Sequence, residues 1–247
     1  MHTQVRFETN ANLDPELAAD YIFPPPQPIS MPILHSGQRF PVRRVFCVGR
    51  NYAEHAKEMG GSPERGQRPV FFTKPTDAVV ADSHATRYPN ATANLHFEIE
   101  LVVALHSGGE NIATDQALNH VFGYAVGNDL TRRDLQLEAK HAGLPWDISK
   151  AFDQSAAVSA IAAAAHIGHP STGAITLDVN GKRRQTADIA DLLWSVPEII
   201  HELSKLFCLA AGDLIFTGTP AGVGALARGD VLIGRIDGVG ELSHSIC

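Results

Sequence analysis

The chain has 247 residues, 44% of them hydrophobic and 19% charged, with a formal net charge of −7, which describes an ordinary globular protein built on one large domain. The negative balance excludes a basic nucleic-acid face, and no block of like charges or basic amphipathic helix suggests a membrane surface. No stretch approaches the roughly 18 apolar residues of a membrane helix. The start MHTQVRFETN has no secretory pattern, and Cys47, Cys208 and Cys247 are widely separated, so reduced thiols in a cytoplasmic protein are expected.

Residues 1–40 include YIFPPPQPISMP, too rich in proline for a helix or central strand, and are expected to form an arm or small lead-in ahead of the main domain over 41–247. FPVRRVFCVG (40–49) alternates as a strand. In GRNYAEHAKEMGG (49–61) a short helix is expected, with Asn51 as its cap, Glu54 three residues on, and Gly60–Gly61 as its stop. PVFFTKPTDAVV (69–80) and LHFEIELVVAL (95–105) are expected as strands, and VFGYAVGNDL (121–130) as a strand ending at Asp129. AITLDV (174–179) meets KRRQT (182–186) across Asn180–Gly181, a strong hairpin signal. SVPEIIHELSKLF (195–207) is the clearest helix. Ser195 and Glu198 suit a capping box, Pro197 its first turn, and Ile199, Ile200, Leu203, Leu206 and Phe207 an inward face. GDLIFTG (212–218) and GDVLIG (229–234) add two more strands. Many strands with few helices and no strict alternation predict a β-rich α+β fold.

Four groups of residues could carry chemistry. Glu98 and Glu100, two apart in a strand, share a face, with Cα atoms roughly 7 Å apart; Asp129 at the end of another strand could complete an oxygen-only site for Mg²⁺, with Mn²⁺ or Ca²⁺ as alternatives. The competing explanation is an exposed edge strand with a polar face. His55 and Glu58, three apart on a helix, form either a base held in one tautomer or a surface pair. Lys74 and Lys150 stand in apolar surroundings, as anion binders or as snorkelling lysines. Arg132, Arg133 and Gln136 suit a carboxylate grip or plain solvated surface. Gly222–Ala227 matches the loose dinucleotide fingerprint, but the strand near Asp230 leaves no room for the helix it needs, and FTGTPAGVG (216–224) lacks the Gly-Lys-Ser/Thr of a P-loop; a turn lining a pocket is expected. His166 and His169 read as loop residues.

Taken in order, CVGRNYAEHAKEMG, PVFFTKP, LHFEIELVVAL, GYAVGNDLTRRDLQ, GLPWDISKAFD, DVNGKRRQ and GDLIFTGTPAGVG resemble the fumarylacetoacetate hydrolase family from about residue 40 to the last. The FPPPQP lead-in and the block after it resemble the family's bacterial fumarylpyruvate hydrolases of gentisate-type aromatic degradation. The resemblance implies a mixed β-sheet roll, a homodimer, and a divalent cation held by Glu98, Glu100 and Asp129. It places a catalytic pair on His55 and Glu58 and an active-site lysine on Lys150. Arg50, Lys74, Arg133, Gln136 and Thr219 fall on positions that line the substrate pocket. The implied substrate is a 2,4-diketo acid, cleaved between carbons to pyruvate and a carboxylic acid; a lyase or isomerase on the same scaffold, or a non-catalytic keto-acid binder, are the rivals. Phe97, where relatives often carry His, and QSAAVS (154–159) depart from the pattern, the second at the expected pocket wall.

Overall fold

The computed structural model describes residues 22–62, 64–65, 68–81 and 84–247, so the first half of the Pro-rich lead-in lies outside the described residues. Strands β1 (Ser30–Pro32) and β2 (Arg39–Pro41) pair antiparallel, and their Met31 and Phe40 are buried. The strand expected over 40–49 is thus two pieces, with β3 (Arg44–Gly49) beginning after the break at Val42–Arg43. Next come α1 (Ala53–Glu58), β4 (Val70–Lys74), β5 (Val79–Ala81), β6 (Ala85–Thr86), β7 (Leu95–Phe97) and β8 (Ile99–Leu105). The middle of the chain holds β9 (Val121–Asp129), β10 (Thr131–Arg132), α2 (Arg133–Ala142), α3 (Asp147–Lys150), β11 (Ala156–Val158), β12 (Ala162–Ala163) and α4 (Ala164–Ile167). The chain closes with β13 (Ala174–Val179), β14 (Lys182–Asp188), α5 (Val196–Ser204), β15 (Asp213–Phe216), β16 (Gly224–Ala225), β17 (Val231–Ile236) and β18 (Gly240–Ile246).

The fold is the β-rich α+β type expected. Its largest sheet runs β4-β3-β15-β8-β9-β11-β5, with β12 also on β9. The sheet is mixed, since β15–β3 and β11–β5 are parallel and the rest antiparallel. A second sheet, β14-β13-β17-β18-β6, packs on one of its faces, and β10-β7-β16 forms a small third sheet.

Every residue of β8 is buried, which explains why Ile-Glu-Leu-Val-Val-Ala-Leu reads as a nearly continuous apolar run. Leu101, Val103 and Leu105 join Ile175, Leu232 and Leu242 of the second sheet in one core. Val102 and Ala104, pointing the other way, join Met31, Phe40, Val45 and Cys47 in another. The two sheets approach so closely at Gly234 that a Cβ there would lie 2.3 Å from Ile99 Cδ1.

Four local expectations change. Asn51 does not cap α1, whose cap position is Tyr52. Its buried amide instead donates to Trp194 O and Thr217 O at 3.0 and 2.7 Å and accepts from Trp194 N at 2.7 Å, clamping three segments. Helix α5 stops at Ser204, so Leu206 and Phe207 leave the inward face and are 51% and 37% exposed. Glu198 Oε2 does accept from Ser195 N and Oγ at 2.9 and 2.7 Å, as the capping motif required. The segment PVFFTKPTDAVV is two strands, β4 and β5, parted by a turn at Thr76–Ala78, and LHFEIELVVAL is two strands broken at Glu98; α2 and β18 are among the elements that the sequence pattern did not predict.

Candidate active site

The break at Glu98 builds the site. Its amide donates to Asn128 Oδ1 at 2.8 Å, and the next amide, of Ile99, donates to Gln185 Oε1 at 3.0 Å. Side chains therefore take the hydrogen bonds a continuous strand would have given to a neighbour. Strand β7 pairs with β10 and β16, whereas β8 pairs with β9 and β15. Asp129 N donates back to Glu98 O at 2.9 Å, so the last residue of β9 faces the kink. Glu98, Glu100 and Asp129 each offer an oxygen such that all three lie within 4.8 Å of one another, and all three residues are buried.

Three cations surround this acid set. Lys150 Nζ lies 2.8 Å from Glu98 Oε2 and 2.6 Å from Asp129 Oδ2. Arg133 pairs with the other oxygen of Glu98. Lys74, wholly buried, stands 2.8 Å from Asp129 Oδ1 but directs its hydrogens to Leu130 O, Ser155 Oγ and Lys150 O. Asp129 Oδ1 is thus within Coulombic range of an ammonium yet accepts no hydrogen bond.

Burial opposes ionisation of Glu98, but Lys150 and Arg133 outweigh it and hold the carboxyl well below its ordinary range. Glu100 goes the other way: burial, then the adjacent Asp129 and Glu98, push it up. Burial also disfavours the Lys150 ammonium, yet Asp129 and Glu98 prevail and raise it. The residues fit a divalent ion on three counts: an oxygen-only donor set, one orphaned buried oxygen at Asp129, and a Glu100 carboxyl whose repulsion a cation relieves.

The short helix α1 brings His55 to the pocket that Glu98 and Glu100 line, with Glu58 beside the ring. His55 Nδ1 lies 3.0 Å from Glu58 Oε2, and the buried imidazole lines the cavity shared by Glu98 and Glu100. With Nδ1 engaged by the carboxylate, Nε2 is the nitrogen left for another partner. Gly222 N holds Glu58 at 3.1 and 3.3 Å from its two oxygens. Burial raises Glu58, but the His55 and Gly222 hydrogen bonds outweigh it and keep the carboxyl low.

Arg50, Arg133, Gln136, Lys150 and Thr219 all line this pocket. Gln136 Oε1 accepts from Arg133 at 2.6 Å, and Thr219 Oγ1 accepts from Gln185 Nε2 at 2.9 Å. Lys74 lies behind the wall, bound to Asp129. Arg132 donates to Ile148 O at 3.0 Å and stacks over Phe152, away from the pocket. The glycine loop serves the site through its backbone, since Gly218 N donates to Glu100 Oε2 at 2.7 Å as Gly222 N does to Glu58. Phe97 is fully buried. In QSAAVS, Ser155 accepts from Lys74 and donates to Lys150 O at 3.0 Å, supporting the lysines from behind. Sequence reading missed Asn128, Gln185 and Lys140. The first two act from outside the motif by receiving the amides at the kink, and nothing in a single sequence marks such a role. Lys140 lies on the unread helix α2 and also lines the pocket; the Gly143 stop was its available signal.

The sequence model described as Fumarylacetoacetate (FAA) hydrolase C-terminal matches residues 44–247. The chain belongs to the fumarylacetoacetate hydrolase family. A fumarylpyruvate hydrolase from a Ralstonia species is 42% identical over 180 residues, spanning 73% of this chain and 93% of its own length. The mitochondrial oxaloacetate tautomerase of Rattus norvegicus is also 42% identical, over 83% of this chain and 91% of its own. The crystal structure of fumarylpyruvate hydrolase from Pseudomonas aeruginosa, in complex with Mn²⁺ and pyruvate, superposes with a TM-score of 0.89. It is 53% identical, covering 92% of this chain and 99% of that one. Among the described residues no helix is long and apolar enough to cross a membrane.

Proposed function

We propose that this protein is a divalent-metal-dependent hydrolase that cleaves a carbon–carbon bond of a 2,4-diketo acid, with fumarylpyruvate as the favoured substrate and fumarate and pyruvate as products. One observation carries the reading: two members of a buried three-carboxylate set, Glu98 and Glu100, and the imidazole of a His–Glu pair, His55, line one pocket. Its likeness to fumarylpyruvate hydrolases, one of them holding Mn²⁺ and pyruvate, supports it. So does the gentisate-type degradation context that the lead-in resemblance implies.

In this reading Glu98, Glu100 and Asp129 hold the ion, which is Mg²⁺ with Mn²⁺ or Ca²⁺ as alternatives. Bound there, it supplies a Lewis acid toward the α-keto acid end and stabilises negative charge as it develops. Lys150 and Arg133 keep Glu98 ionised and present cations to the substrate's oxygens; Lys74 fixes Asp129 from behind. Gln136 and Thr219 contribute hydrogen-bonding groups from the wall. His55 Nε2 takes a proton from water, and Glu58 orients the ring and stabilises its positive charge. The hydroxide adds to the distal carbonyl carbon. Carbon–carbon cleavage then places the electron pair on the pyruvate fragment, whose carbon regains the proton. Water is consumed, and a carboxylic acid and pyruvate are released.

Coupled detection of pyruvate from fumarylpyruvate, maleylpyruvate, acetylpyruvate and oxaloacetate, with and without Mg²⁺ or Mn²⁺, tests the proposal. Metal-dependent release from an acylpyruvate is the expected result, and none from any of them defeats it. The second reading, keto–enol tautomerisation or decarboxylation of oxaloacetate, has one specific support: the 42% identity to an oxaloacetate tautomerase. It needs proton transfer but no hydroxide attack, so turnover of oxaloacetate alone favours it. A homodimeric assembly belongs to the same proposal and is read by light scattering.

A further inference from the structure

The pocket wall carries two cations that the acid set does not use. Lys140 lies in the last turn of α2 and Arg50 just after β3; both line the cavity that exposes His55, Glu98 and Glu100. Arg133, Lys74 and Lys150 are each ion-paired. Among the described residues, the side chains of Arg50 and Lys140 have no hydrogen bond or ion pair with a carboxylate. Glu98, the acid whose charge acts on Lys140, is taken by Lys150 and Arg133, and Glu64, which lines an adjoining pocket with Arg50, is exposed.

Lys140 is half-buried, with its ammonium 5.5 Å from the centre of the Trp146 ring. Burial, then the positive charges of Arg50 and Arg133, push it down to about 8. Arg50 is held at a φ of 61°, a region unfavourable for a side chain of its size. Arg50 is exposed, so its repulsion of Lys140 is softened by water, but among the described residues neither has a carboxylate partner, and an incoming anion would relieve what repulsion remains.

We propose that Arg50 and Lys140 form a second anion subsite, which binds a carboxylate at the far end of the substrate's acyl arm. The inference rests on the acylpyruvate reading for the identity of the arm. It assigns the α-keto acid end to Glu98, Glu100, Asp129, Lys150 and Arg133, and the distal end to Arg50 and Lys140. Substrates are then dianions with a carboxylate at each terminus, and Lys140 is a specificity residue rather than one acting on the reacting bond.

The test uses the Mn²⁺-loaded full chain, its Lys140→Met and Lys140→Arg variants, and Arg50→Asn, since Asn tolerates a left-handed backbone. The ratio of kcat/KM for fumarylpyruvate over acetylpyruvate is expected to fall roughly tenfold to a hundredfold in Lys140→Met and Arg50→Asn, the range for a hydrogen bond to a charged group. The loss is carried by KM, and Lys140→Arg recovers most of it. A direct titration separates this claim from hydrolysis. 2-Oxoheptanedioate and 2-oxoheptanoate differ only in the distal carboxylate and lack the second ketone that cleavage requires. The wild-type protein is expected to prefer the dianion, and Lys140→Met to erase most of that preference. Equal affinity of the wild-type protein for the two oxo acids, or a proportional slowing of both acylpyruvates in Lys140→Met, overturns the subsite. Absence of pyruvate from both acylpyruvates, with the oxo-acid preference intact, overturns the hydrolase reading and leaves the subsite standing.

Discussion

Glu100 is the one carboxylate of its set without a cation of its own: Lys150 and Arg133 serve Glu98, Lys150 and Lys74 serve Asp129, and Glu100 receives only the Gly218 amide. Its raised proton affinity means that the metal-free folded chain holds that proton more tightly than the unfolded chain does. Acid therefore favours the fold from the raised value down toward the ordinary 4.5. Glu100→Gln keeps an acceptor for Gly218 and removes the repulsion. In chelator its melting temperature should equal or exceed that of the wild-type protein, with less gain as pH is lowered from neutral. Metal affinity should drop by more than about a hundredfold, beyond what loss of an outer-shell partner costs, as read by Mn²⁺ titration. His55→Ala should behave in the opposite sense, retaining Mn²⁺ and keto-acid binding while pyruvate release falls by about 10² to 10⁴. Turnover at the wild-type rate would remove His55 from water activation.

Among elements, the loop between β15 and β16 has the most precise task. Its Gly218 and Gly222 amides reach Glu100 and Glu58, so one short segment spaces the acid set against the His–Glu pair. Gly222 sits at a φ of 96°, and a Cβ there would lie 2.3 Å from Arg184 O, a backbone atom that cannot swing aside. Gly222→Ala should lower kcat about tenfold or more by displacing Glu58, while Mn²⁺ affinity changes little; an equal loss of both would mean that the whole loop had moved.

The same elements show what a single sequence carries and what it does not. Helix α5 and the turn at Asn180–Gly181 were legible because their signals are local: a capping motif, and two residues at φ of 51° and 74°. The kink at Glu98 was not, because Asn128 and Gln185 lie 30 and 86 positions from the Glu98 and Ile99 amides that they receive. Asn51 was misread for the same reason: its side chain had a better offer from Trp194 and Thr217 than from its own helix. The carboxylate set and the His–Glu pair emerged only when the motif blocks were taken together, since each alone had an ordinary surface explanation. Lys74 gave no sign in the sequence of being a buried counter-charge.

For the molecule as a whole, the site depends on two sheets meeting at close quarters. Gly234 of β17 leaves room for the Ile99 side chain, and Ile99 stands between Glu98 and Glu100. Gly234→Ala forces that side chain to repack, at a cost of about 1–3 kcal/mol for overpacking. Thermal melting should fall, and Mn²⁺ affinity with it, because the residue that yields is flanked by two of the carboxylates. Unchanged affinity in a destabilised variant would show that the sheet contact and the site are independent.

The balance of charge around Asp129 has a further consequence. With all three carboxylates ionised, Glu98, Glu100 and Asp129 are matched in charge by Lys74, Arg133 and Lys150. Adding a dication makes it a net receptor for two negative charges. Metal and keto acid then become linked ligands, each raising the affinity of the other by the same factor. Mn²⁺ titrated with oxalate present should bind more tightly than Mn²⁺ alone, and oxalate should gain equally from Mn²⁺. Under the proposed function, the three lysine and arginine partners make the ion and the keto acid mutually reinforcing ligands.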